Sequence, residues 1–389
     1  MRRLILVALL AGAAFGAAQA ATFKLTLLVP ADDARLERSR TERAYLGHPG
    51  GPAADGLLVA LKEAKFELEA AGAVLTLDTV PVANAAAAKD AAQKAEKGGA
   101  AVVLTDLPAD WTLAAADAVK LPVMNLGDAS DRLREQDCRP RLLHLLPSER
   151  MRTDALAQTL AAARWSQVLL LTGPAPADAQ RSATAQASIK RYGLKLVATK
   201  PFKLSADPRE RDLANLKLLT GTTGNATYDV VWVVDSDGEF ARTLPYRTSL
   251  PRPVVGDAGL TALAWSAQFE RFGAPQVSRR FTKATGRPMT AHDWASWMAG
   301  KAITSAATEV PKGPAVAFAK ALNELEFDGS KGTPMSFRPW DGQLRQPMLL
   351  TDGQGVVAMA PVEGVLHPKN NLDTLGVDAP EKLCKVARP

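Results

Sequence analysis

Leu142-Leu143-His144-Leu145-Leu146-Pro147-Ser148-Glu149 is the stretch on which the reading of the fold turns. An apolar extended run ends at Pro147, and Ser148, a residue type that caps helix N-termini, opens a helix with Glu149 behind it. The segment therefore closes one series of elements and starts another. Upstream, short β-rich runs alternate with Ala-rich helical stretches: strands Phe23 to Val29, Val74 to Val80, Ala101 to Thr105 and Val123 to Leu126, with helices around Asp55 to Ala71, Ala85 to Lys97 and Trp111 to Val119. Downstream the same grammar repeats: strand Val168 to Thr172, helix Ala177 to Arg191, strand Leu194 to Pro201, helix Pro208 to Leu219, strand Val230 to Val234. Strictly alternating strands and helices predict parallel sheets covered on both faces, here twice over.

After Pro251-Arg252-Pro253 come a strand, Val254 to Gly256, and helical stretches through Trp265 to Arg280, Asp293 to Ala307 and Ala315 to Leu325, read as a return to the first lobe. Asp328-Gly329, Asp341-Gly342 and Asp352-Gly353 are turn dipeptides flanking Met335 to Arg338 and Gln346 to Leu350, read as hairpin strands that close on the second lobe. The division expected is residues 21–145 plus 252–330 for lobe one, 146–251 plus 331–365 for lobe two, and a tail over 366–389. Three crossings between the lobes predict a three-stranded hinge.

Residues 1–20 read as a cleaved export signal: Arg2 and Arg3, an apolar core from Leu4 to Phe15, and Ala18-Gln19-Ala20 as a small-residue cleavage site. The apolar run falls short of the roughly 20 residues that span a bilayer. What remains of the 389 residues exceeds the size at which one hydrophobic core stops growing, in keeping with two lobes. The formal charge of +6 is spread among acids rather than clustered, which excludes a nucleic-acid interface. Cys138 and Cys384 are the only cysteines, and in an oxidising compartment they read as a structural disulfide tying the tail to the middle of the chain. Nothing near either has metal-ligand spacing, and no phosphate loop, nucleophile elbow, zinc motif or dinucleotide fingerprint occurs, so no cofactor is expected.

The exported start, the crossing at Leu142 to Ser148, Gly256-Asp257-Ala258-Gly259 and the C-terminal hairpins together resemble the type I periplasmic binding proteins of the leucine/isoleucine/valine receptor family. The resemblance implies an α/β fold of two Rossmann-like lobes joined by a three-stranded hinge. It also implies a periplasmic, monomeric, non-enzymatic receptor that closes on a small molecule and delivers it to the membrane permease of an ABC-type importer. Longer strings are similar to the subfamily associated with pyrroloquinoline-quinone-dependent alcohol oxidation: Tyr246-Arg247-Thr248, Pro251 to Gly256, Gly273-Ala274-Pro275-Gln276, Asp293-Trp294-Ala295, and Phe337-Arg338-Pro339-Trp340-Asp341-Gly342-Gln343-Leu344-Arg345-Gln346-Pro347.

Ligands of open parallel sheets settle at the carboxyl ends of the strands, which directs attention to the loops there. Asp257 follows Val254 to Gly256 at the place where the family sets an acid for a ligand ammonium; the bland reading is a helix cap. Thr105 and Asp106 end the third strand where amino-acid receptors of the family offer a serine-rich turn to a carboxylate, and an acid there argues against an ordinary α-amino acid. Asn125, Asp128 and Ser130 follow the fourth strand, Ser130 near the family's hydroxyl position and Asp128 equally suited to capping. Asp235-Ser236-Asp237-Gly238-Glu239 ends a strand of the second lobe; its acids suit a calcium-like ion but lack the regular loop with a terminal bidentate acid. Tyr45 and His48 sit in a long polar loop that is either a lid or merely solvated. Trp294 and Trp297 share a helical face and read as core, while His144, His292 and His367 show no metal spacing. Two alternatives stay open: an enzyme or metal-handling protein in which Asp106, Asp235 and Asp237 meet across the cleft, and a sensor presenting its closed form to a membrane kinase.

Overall fold

A computed structural model describes residues 20–219, 227–248, 250–311 and 315–388. Residues 1–19 of the export-signal reading lie outside the described residues. Within the described residues no helix is long and apolar enough to cross a membrane.

Five strands, β1 (Ala21–Pro30), β2 (Ala73–Val82), β3 (Ala100–Thr105), β4 (Val123–Asn125) and β5 (Leu142–His144), form a parallel sheet in the order β2-β1-β3-β4-β5. Leu25 and Leu27 on β1 and Val102 and Leu104 on β3 turn to one face, while Leu28 and Val103 turn to the other, so each buried strand feeds two cores. A second parallel sheet, ordered β7-β6-β8-β9, contains β6 (Gln167–Thr172), β7 (Lys195–Pro201), β8 (Val230–Val234) and β9 (Val254–Gly256). The remaining strands are β10 (Thr261–Leu263), β11 (Glu326–Asp328), β12 (Pro334–Ser336), β13 (Met348–Thr351) and β14 (Val356–Ala360), with β11 paired to β12 and an antiparallel sheet β10-β13-β14.

Four expectations need correction. The helix predicted over Asp55 to Ala71 is two, Ala53–Glu63 and Lys65–Ala71, broken at Ala64. Trp265 to Arg280 is helical only from Ala274, because Gly273 adopts a left-handed φ of 79° and Pro275 favours the first turn of a new helix. Val254–Gly256 does not return to the first lobe: it pairs with β8, with Val231 opposite Val254. There Val255 joins Val230 and Trp232 in one core and Val254 joins Val231 and Val233 in another, so both faces of the strand are buried. Met335 pairs with Phe327 and packs, with Phe337, into the first lobe's core rather than closing on the second.

β13 serves both lobes. Met348 and Leu350 point into the second core and Leu349 between them into the first, as alternation along a strand requires. The hinge is cross-linked by two glutamines. Gln343 Nε2 donates to the carbonyls of His144 and Leu146, and Gln346 Nε2 to that of Leu145 at 2.8 Å, tying the last crossing to the first. Trp294 and Trp297 are core residues, each with its indole N–H satisfied, by Gly329 O and Glu63 Oε2.

Helix Ala53–Glu63 approaches helix Ala291–Glu309 so closely that a Cβ on Gly56 would lie 2.3 Å from the Asp293 carbonyl and 2.9 Å from Trp297 N. Gly56→Ala is therefore expected to destabilise the protein by about 1–3 kcal/mol, since backbone cannot yield as a side-chain tip can. Urea unfolding followed by tryptophan fluorescence measures it, and an unchanged midpoint would mean that the two helices separate freely.

Candidate ligand-binding site

Residues beyond the carboxyl ends of β1 and β4 in one lobe and of β6, β8 and β9 in the other line a single cleft of about 520 Å³. The β4 turn is built by Asn125: its Oδ1 accepts the N–H groups of Gly127 and Asp128, and its Nδ2 donates to Asp128 O at 2.7 Å. That turn sets Asp128 and Ser130 on the cleft wall. From the second lobe, helix Pro176–Arg191 points its first turns inward. Ala177, Gln180, Arg181 and Thr184 are spaced i, i+3, i+4, i+7 and share one face.

On the floor of the second lobe lies a charge-balanced quartet. Arg181 Nη2 donates to Asp257 Oδ1 at 2.6 Å, and its Nε lies 3.2 Å from Glu149 Oε2. Arg152 Nη1 donates to Glu149 Oε1 at 3.2 Å and its Nη2 lies 3.8 Å from Asp257. The second Asp257 oxygen accepts the N–H of Asp235 at 2.7 Å. Burial pushes both carboxyls up, but the two guanidiniums overcome it and hold Glu149 and Asp257 below their ordinary values. The same acids hold Arg181 above its own.

The first lobe contributes a triad and two imidazoles. Arg35 makes a bidentate pair with Asp33, at 2.9 and 2.7 Å, and lies 3.0 Å from Asp106 Oδ1. Burial raises Asp106 in spite of Arg35. His48 and His292 line the cleft near Arg35 and are neutral at physiological pH: burial first, then Arg40, lowers His48 to about 4, and burial with Arg35 lowers His292 to about 3. The Nδ1 atom of His292 is buried and has no partner among the described residues.

The loop after β1 also reaches across the cleft. Arg40 Nη2 donates to the Asp237 carbonyl at 3.2 Å, and Arg43 and Tyr45 both bond the Glu239 carboxylate. Deeper in, Thr184 donates to Asp131 at 3.2 Å, joining the second lobe to the first. The lobes are thus clasped at the mouth and again inside it.

No family model matches this chain, and no curated protein does. Solved structures do match. A solute-binding protein of an ABC transporter from Rhodopseudomonas palustris BisB5, in complex with 3,4-dihydroxybenzoic acid, is similar at a TM-score of 0.66 and 15% identity, over 87% of this chain and 97% of that one. An ABC transporter substrate-binding protein from Sphaerobacter thermophilus is similar at 0.70 and 15%, over 92% and 100%. A third, from Desulfitobacterium hafniense in complex with Leu, is similar at 0.64 and 14%, over 86% and 99%. The chain has the type I periplasmic binding protein fold.

Within this fold the residues singled out from sequence divide sharply. Asp257 and Ser130 line the cleft, but Asp257 is saturated by Arg181, Arg152 and a backbone N–H, and Ser130 by Asp128. Thr105 is wholly buried against Thr112, and Asn125 is spent on its turn, so neither meets the cleft. Asp106 stands behind Arg35, while Asp237 and Tyr45 belong to the clasp at the mouth. Asp106, Asp235 and Asp237 do not form one constellation: their partners are Arg35, the Ala241 N–H and Arg40 respectively. Among the described residues no group of His, Cys, Asp and Glu is arranged to hold a metal ion.

Sequence reasoning missed Arg181, Gln180, Glu149, Arg152 and Arg35. They stand on helices or within a loop, not at strand ends where the search was made. The polar residues Gln180, Arg181 and Thr184, sharing one helical face with Ala177 in the first turns after β6, were the available signal.

Proposed function

We propose that the protein is the ligand-capturing receptor of an ABC-type importer, exported to the periplasm and acting as a monomer without cofactor. The carrying observation is the cleft itself, walled by both lobes and spanned by three crossings, so that a ligand touching both walls stabilises the closed form that a membrane permease would recognise. The similar proteins solved with 3,4-dihydroxybenzoic acid and Leu support a small polar or amphipathic metabolite as the class of cargo. The long strings from Tyr246 to Gly256 and Phe337 to Pro347 support a place beside alcohol oxidation.

Native mass spectrometry of protein taken gently from periplasm tests the reading. The expected result is an extra small mass, lost on unfolding and recovered chemically unchanged, whose return lowers the radius of gyration in solution scattering. Chemical conversion of that molecule would make the protein an enzyme, and a radius indifferent to ligand would remove closure.

A further inference from the structure

We infer that the cleft selects an uncharged ligand, one that sets hydroxyl or carbonyl oxygens beside an apolar body; this rests on the receptor reading above. The argument is one of matching. Every charged side chain on the cleft wall is already engaged inside the protein. Arg181, Arg152, Glu149 and Asp257 neutralise one another. Arg35 is held by Asp33 and faces Asp106. Asp128 accepts the N–H groups of Ala109 and Ser130, each at 2.8 Å, and Asp131 accepts the backbone N–H of Arg150 and the hydroxyl of Thr184.

A carboxylate ligand would have to draw a guanidinium away from its acid, and an ammonium would have to draw Glu149 or Asp257 away from its guanidinium or compete with the N–H and O–H donors that Asp128 and Asp131 already hold. Parting an ion pair strands a charge in a poorly solvated site, which is why breaking such a pair is costly. Neutral groups, in contrast, stand ready. His48, Gln180 and Ser236 line the cleft with side-chain polar atoms that make no hydrogen bond among the described residues, and His292 Nδ1 is buried and unpartnered. His48 and His292 come from the first lobe and Gln180 and Ser236 from the second, so one neutral molecule bonding both sets would draw the lobes together. A neutral imidazole both donates and accepts, as does the Gln180 amide, which matches hydroxyl and carbonyl oxygens. Leu46, Leu146, Pro147 and Leu263 supply the apolar wall.

Calorimetric titration with matched triples on one skeleton tests this: benzyl alcohol, benzoate and benzylammonium; 1-butanol, butyrate and butylammonium; glycerol, glycerate and 2-amino-1,3-propanediol. The expected result is that the uncharged member of at least one triple binds roughly tenfold more tightly than its charged partners. Its affinity should be nearly indifferent to about 0.5 M salt, which screens an ionic contact but not a neutral one. Two substitutions, His292→Phe and Gln180→Met, made separately so that a misfolded variant leaves the other informative, should each weaken that member about tenfold. A carboxylate or ammonium that outbinds its alcohol about tenfold overturns the ligand class while leaving the receptor intact. If no triple binds, the charge of the molecule carried from the periplasm decides, an ionic one overturning the class; a protein that binds nothing and carries nothing loses the receptor reading as well.

Discussion

Arg181→Met is expected to destabilise the protein by about 3–5 kcal/mol, because it leaves two acids, Glu149 and Asp257, only 16% and 13% exposed, sharing one remaining guanidinium. The methionine fills much of the space of the arginine stem, so the loss reports charge and not a cavity. The pH dependence separates this cause from any packing defect. In the native protein both carboxyls lie below their unfolded values, so the stability they confer is fully present above the ordinary carboxylate range and is lost only as pH falls through their lowered folded values. Without Arg181 burial is the dominant influence on Asp257, and its carboxyl rises. The variant should then recover part of its deficit relative to the native protein as pH falls from 7 toward 5, an interval in which both lose stability because the unfolded chain protonates His48 and His292 and the folded one does not. Urea unfolding at the two pH values measures both quantities. A loss below about 1 kcal/mol would mean that Arg152 alone satisfies both acids. A large loss without the pH dependence would place the defect in packing. Asp257→Asn in the Arg181→Met background should recover part of the loss, since it removes the stranded charge.

How the cleft escaped a reading from sequence follows from the kind of information each residue carries. Strands such as Val230 to Val234 are legible because a run of buried apolar residues bounded by polar turns has few other uses, and the observed strand has the same bounds. A three-residue strand such as Val254–Gly256 announces extended structure but not its neighbour, which depends on where both its faces can be buried and so on the whole chain. Asp257 lines the cleft because it ends a strand, while its partner Arg181 was not legible, being distant in sequence and on a helix. The string Phe337 to Pro347 is informative for a structural reason. Arg338 bonds Asp373 and the carbonyls of Leu372 and Leu375, while Gln343 and Gln346 lace the hinge. These contacts serve the hinge and the tail, and so say little about the ligand.

The tail makes the second large prediction. Cys138, in the connection from β4 to β5 of the first lobe, is joined by a disulfide to Cys384 across a sequence separation of 246. Before reaching it the tail runs over helices of the second lobe, where the buried Asp154 carboxylate accepts the Gly376 N–H at 2.9 Å and an Arg191 N–H at 2.7 Å, and where Tyr192 donates to Thr374 O. The chain past residue 365 is therefore a strap laid along one lobe and fastened covalently to the other, a fourth connection beside the three crossings. Cys138→Ser is expected to cost about 2–5 kcal/mol, mainly by freeing a long loop in the unfolded chain. The native protein treated with reductant should unfold at the same urea concentration as the untreated variant, because each lacks the same bond. A protease that cuts after lysine should remove the end of the tail, at Lys382 or Lys385, faster from the variant than from the oxidised native protein, since Arg150 and Glu381 form the last polar tie before the cysteine. Equal cleavage with lowered stability would confine the bond's effect to the unfolded state, and an unchanged midpoint would show that packing of the tail on Asp154 and Tyr192 holds the strap without it.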